Sequence, residues 1–195
     1  MQSCDADQMT VEKLSQLSEG MRAALEPVLG IVEQMTQEIH EYDKKLAQIA
    51  REQYPETALL QQISGVGPLI ALTYVLTLDD PDRFARSREV GPYLGLRPKR
   101  KESGESQPEL RITKEGDVYL RRLLVQGAHC ILSRRGPDTD LKRWGLKLAG
   151  SGSKRAKKRA VVGVARKLAV LLHHLWVTGE VYEPLRQGQA GKRVA

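Results

Sequence analysis

Residues 59–76 read LLQQISGVGPLIALTYVL, and the fold class follows from how the middle of that stretch separates two apolar runs. Leu59, Leu60 and Ile63 give a first short helix its apolar face, and Leu69, Ala71, Leu72, Val75 and Leu76 do the same for a second. Between them Gly65, Val66 and Gly67 provide a tight turn, and Pro68 takes the first helical position, where its missing amide would lack a partner in any case. The pattern is that of a helix-hairpin-helix. Such a turn leaves a helix N-terminus with free amides and the positive end of its dipole facing outward, so Gly65, Val66 and Gly67 are candidate contacts to a phosphate. An ordinary helix-turn-helix packing unit has similar spacing, and the basic character of the chain downstream favours the phosphate-binding reading.

Upstream, Met21, Leu25, Val28, Val32, Met35, Ile39, Tyr42, Leu46 and Ile49 alternate steps of four and three, which is a heptad seam. The intervening residues are polar, so the seam is narrow and needs a second helix to cover it. Pro27 interrupts the series, and residues 10–26 are expected as a separate or kinked first arm with Pro27 opening the next helix. A helical hairpin and a coiled coil between two chains both fit.

Downstream, Asp79, Asp80 and Asp82 cluster where aspartates commonly form turns, and glycines and prolines over residues 90–98 exclude a long regular element. An exposed basic loop follows, with Arg97, Lys99, Arg100 and Lys101 ahead of Ser103 and Gly104. Cations that hold a phosphodiester and spread its developing charge are what a serine hydroxyl needs to attack phosphorus. No general base is identifiable nearby, so the residues alone favour Ser103 as a hydrogen-bond donor to phosphate. A helix with an apolar face resumes at Asp117; Lys114 before it and Arg121 on its flank, next to Arg122, are further candidate contacts to nucleic-acid phosphate, and residues 134–152 read as looser chain. Lys154, Arg155, Lys157, Lys158 and Arg159 then precede an apolar helix running to Trp176. Cations at a helix start oppose the macrodipole, so a phosphate partner explains them better than helix stability does.

The net charge of +7 conceals two opposite halves. Residues 1–60 carry five basic and eleven acidic side chains, and the remainder carries 26 basic and 13 acidic, a field that favours a polyanion. No run of eighteen apolar residues and no signal-like start is present, so a cytoplasmic protein without a membrane partner is expected. Cys4 and Cys130 are too few for a disulfide framework, and no histidine pair has metal-ligand spacing, so no metal site or cofactor is assigned to this chain. The expected organisation is all-α: a heptad-patterned arm over residues 1–56, a compact helical domain over 57–183 and a disordered tail over 184–195.

Several ordered pieces together carry a resemblance: Ile63-Ser64-Gly65-Val66-Gly67-Pro68, Arg83-Phe84, Gly91-Pro92-Tyr93-Leu94-Gly95-Leu96-Arg97-Pro98, Glu102-Ser103-Gly104, Ile112-Thr113-Lys114-Glu115-Gly116 and Leu120-Arg121-Arg122. Residues 57–180 resemble the C-terminal domain of the insertion-sequence "one-ten" transposases, grouped with "one-sixteen" and "nine-oh-two", and the heptad arm resembles the coiled coil preceding it. The resemblance implies a DNA recombinase whose serine, here Ser103 with Ser106 as competitor, joins covalently to DNA. It also implies a RuvC-like domain binding magnesium through four acidic residues, a bridge RNA that guides recognition, and a homo-oligomer formed through the arm. No stretch ahead of the arm resembles the RuvC-like domain, so this chain alone is expected to bind nucleic acid without recombining it; a non-catalytic binding or dimerisation fragment is the alternative.

Overall fold

The computed structural model describes residues 17–99, 110–150 and 152–186, and these are all-α: seven helices joined by turns, with a single isolated antiparallel bridge between Pro98 and Ile112. The chain divides into two compact units, residues 1–49 and 50–195.

Helix α1 (Glu19–Gln53) belongs mostly to the first unit and is roughly 50 Å long at 1.5 Å per residue. Pro27 lies inside it rather than opening a second helix. The proline has no amide to donate to the helix, and the helix nonetheless continues past it through Gln53. The heptad seam remains open: Met35, Ile39 and Tyr42 are 59%, 57% and 60% exposed.

In the second unit the chain leaves α1 through a turn in which the Thr57 hydroxyl donates to the Tyr54 and Ala50 carbonyls at 2.7 and 3.2 Å. The short α2 (Thr57–Leu60), α3 (Pro68–Leu78), α4 (Val90–Tyr93), α5 (Val118–Leu132), α6 (Asp140–Ala149) and α7 (Lys154–Thr178) follow. Two single-turn 3₁₀ segments, Pro81–Arg83 and Ser87–Glu89, link α3 to α4. Helix α7 is the centre of the core. It packs against α5 and α6, touches α2 and α4, and buries Val164, Ala165, Leu168, Ala169 and Leu172 completely. By length and composition α7 is apolar enough to cross a membrane, but its apolar residues are those of this core.

The looser chain expected over residues 134–152 contains α6. Gly136, Pro137, Gly145 and Gly150 obscure it, yet Thr139 caps it by accepting the Lys142 amide at 3.1 Å. Gly145 is a packing residue, because a side chain there would strike Val164 and Leu132. At the same end of α6, the Pro184 carbonyl accepts the Asp140 amide at 2.8 Å, so the chain is held at least to Pro184; residues 187–195 of the expected tail lie outside the described residues.

Candidate nucleic-acid interface

The glycine turn is asymmetric. Gly65 has a φ of +91°, a left-handed conformation that glycine adopts without strain, and a side chain there would meet the Gly127 carbonyl of α5 at 3.0 Å. It therefore faces inward, and the two backbones cross glycine on glycine. Val66 is also inward: its side chain is 5% exposed, and its amide already donates to the Ile63 carbonyl at 2.9 Å. Gly67 is the outward member, exposed and extended, with open space where a Cβ would stand. It caps α3, whose first amides have no carbonyl one turn behind them, so of the three expected phosphate contacts Gly67 alone has the required exposure.

A second feature flanks residues 100–109 in the chain. Residues 95–99 and 111–114 pair as a short antiparallel stem: the Lys99 amide donates to the Arg111 carbonyl at 2.9 Å, Thr113 to Arg97 at 3.0 Å, and Lys114 to Gly95 at 3.1 Å. Ile112 packs against the core, while Arg97, Lys99 and Arg111 are all exposed. Lys114 is exposed as well. Gly95 is required at the base, since its φ is +66° and the Glu115 backbone occupies the position of any side chain. Arg100, Lys101, Ser103 and Ser106 lie outside the described residues.

Arg121, expected among the phosphate contacts, is 8% exposed. Its Nη1 donates to the carbonyls of Leu94 at 3.1 Å, Glu115 at 2.8 Å and, more weakly, Asp117 at 3.4 Å. One buried guanidinium thus ties both feet of the stem to α5. This corrects the expectation: the first turn of α5 directs Arg121 inward, while Arg122 is exposed. Asp117 caps the same turn by accepting the Leu120 amide at 2.6 Å.

The third basic group opens α7. Ser153 caps the helix by accepting the Ala156 amide at 3.2 Å, and Lys154, Arg155, Lys157 and Lys158 occupy the first turns, all exposed, while Ala156 and Ala160 face the core. These cations are inside the helix rather than ahead of it.

Sequence reasoning missed a buried polar contact that fixes residues 81–89. His173 on α7 is 1% exposed; its Nε2 meets the Pro81 carbonyl at 2.9 Å and its Nδ1 meets the Ser87 hydroxyl at 3.0 Å. A carbonyl only accepts, so Nε2 donates to Pro81, while Nδ1 pairs with the Ser87 hydroxyl. Phe84 sets its ring edge-on to both His173 and Tyr93, at centroid distances of 5.5 and 5.2 Å. Arg83 lies 5.6 Å over the Tyr93 ring and donates to the Leu78 carbonyl at the end of α3.

Asp79, Asp80 and Asp82 form a turn, in which the Asp80 carboxylate accepts the Asp82 amide at 2.8 Å. Among the described residues no three metal-ligating side chains converge, and the aspartates do not fit a magnesium site.

Comparison with known proteins agrees with the resemblance read from the motifs. Residues 57–142 match the family model described as Transposase IS116/IS110/IS902 family. The chain is 34% identical over 144 residues to the "Transposase for insertion sequence element IS1111A" of Coxiella burnetii, a match covering 74% of this chain and 39% of that protein. It is 32% identical over 126 residues to a "Probable family 20 transposase" of Pseudomonas aeruginosa, covering 64% and 36%. Against "Putative transposase y4pF/y4sB" of Sinorhizobium fredii it is 33% identical over 133 residues, covering 67% and 33%. The matches thus span 33–39% of these relatives' lengths. Over residues 57–142 the chain belongs to the IS116/IS110/IS902 family of insertion-sequence transposases.

Proposed function

We propose that this chain is the DNA-binding part of a cytoplasmic transposase and contributes Ser103 as the nucleophile of DNA strand exchange. The observation that carries the reading is the stem: Arg97, Lys99, Arg111 and Lys114 are exposed on the two paired segments that flank residues 100–109 in the chain, among which Ser103 lies, and Arg121 fixes those segments to the core. In the step proposed, the Ser103 hydroxyl loses its proton as its oxygen bonds to phosphorus. The bond from phosphorus to one sugar oxygen breaks, and that oxygen leaves as a hydroxyl after gaining a proton. The cations hold the phosphate and offset charge on its free oxygens, a role that needs no proton transfer by them. Arg100 and Lys101 complete the proposed clamp, with Gly67 and the α7 cations as further backbone contacts. The family's bridge RNA would meet the same basic surfaces.

The test places Ser103→Ala in a full-length transposase containing these residues, with Ser106→Ala beside it. Strand exchange and the covalent protein–DNA adduct should disappear in the first and persist in the second, with DNA affinity unchanged in both. Recombination that survives Ser103→Ala removes that residue from the chemistry.

The open seam of α1 favours a second role, self-association. Two such helices cover each other's seam in a coiled coil, and the polar flanks remain in water. A homo-oligomer formed this way presents two basic domains to one DNA.

A further inference from the structure

Residues 81–89 carry Arg83, Arg86 and Arg88 against Asp82 and Glu89, a net charge of only +1. Charge therefore gives this segment little attraction for a polyanion, yet the fold holds an aromatic group there firmly and leaves it accessible. Tyr93 is 38% exposed; Phe84 supports its edge, and Phe84 in turn rests against the buried His173. The Arg83 guanidinium over the ring is anchored by its bond to the Leu78 carbonyl. Tyr93 is also beside the loop stem, since its carbonyl stands where a Gly116 side chain would begin, and Lys114 is two residues from Gly116.

Resting on the nucleic-acid reading above, we propose that Tyr93 with Arg83 forms a stacking platform for an unpaired nucleobase, beside the stem cations that hold the adjoining phosphates. An aromatic ring with an arginine plane is the surface on which single-stranded nucleic acid stacks, and every base has a suitable face. A base within a duplex is already stacked on both sides, so the platform selects single strands. The ligand class is a short single strand of DNA or RNA.

The test measures anisotropy of labelled oligonucleotides with the whole chain: single-stranded DNA, single-stranded RNA of the same sequence, and duplex DNA. Tyr93→Ala should weaken single-strand binding roughly five- to 150-fold, the range for losing one stacked base. Tyr93→Phe should bind as the parent does, and duplex affinity should stay within about twofold, the expectation for a purely cationic contact surface. The salt dependence of Tyr93→Ala should match the parent, whereas Lys99→Gln should flatten the single-strand slope by about 0.7. Fluorescence of 2-aminopurine in the single strand should be quenched on binding by the parent and by Tyr93→Phe. Quenching in either arm supports the platform, and the tighter arm identifies DNA or RNA as the source. Equal loss on single strands and duplex, or no quenching by the parent, overturns it. A parent that binds none of the three overturns the nucleic-acid reading as well, which separates the two failures.

Discussion

A buried guanidinium and an exposed ammonium both read as a basic letter in sequence, and Arg121 and Lys99 show how differently they act. Arg121→Met should destabilise the protein by about 3 kcal/mol, because it removes the charge-assisted hydrogen bonds to the Leu94 and Glu115 carbonyls, the first of them buried. Lys99→Gln should leave stability within about 0.5 kcal/mol, the usual range for a surface change, and weaken DNA binding instead. Urea unfolding and anisotropy on the same pair separate the roles. Gly65→Ala should cost about 2 kcal/mol by denaturant unfolding, from left-handed backbone plus contact with the Gly127 carbonyl; a neutral result would mean that the α5 crossing yields freely. The glycine turn itself was legible in the sequence, since few other residues make it. Which glycine faces outward was not, because that depends on α5, some sixty residues further along the chain.

Among the elements, the long amphipathic ones were easiest to read and the short glycine-bearing ones hardest. Helix α5 begins where Asp117 predicts it, and the α1 seam declares itself by periodicity over nine apolar positions. Helix α6 escaped because its glycine marks close packing on α7, which local pattern cannot distinguish from a loop. Helix α7 offers a test in which two quantities move oppositely. Replacing Lys154, Arg155, Lys157 and Lys158 by Gln removes cations from the positive end of a dipole, so the melting temperature should hold or rise. The same change should flatten the salt dependence of duplex binding by up to about 3.6, at about 0.9 for each phosphate no longer neutralised. Ser153→Ala should lower stability by about 1 kcal/mol while leaving that slope alone, as removal of an N-cap requires.

For the whole molecule, the split of charge was legible from composition: an acidic arm ahead of a basic domain. The arm's seam predicts a concentration-dependent mass in sedimentation equilibrium, and Met35→Glu with Ile39→Lys should return the protein to monomer without unfolding the second unit. A monomer in the parent at high micromolar concentration would remove the self-association proposal. The candidate site was legible only in outline. The run of cations is plain in the sequence, whereas the pairing of residues 95–99 with 111–114, the Arg121 tie and the His173 contact arise from pairings distant along the chain.

The family match ends at residue 142, but α7 begins at Lys154 and supplies Val164, Leu168 and Leu172 to the interior. The stretch matched by the family model and an autonomous folding unit are therefore different lengths of this polypeptide. Residues 57–142 expressed alone should collapse without a cooperative thermal transition, bind hydrophobic dyes and give poorly dispersed amide resonances, and adding residues 143–186 should restore a sharp melt.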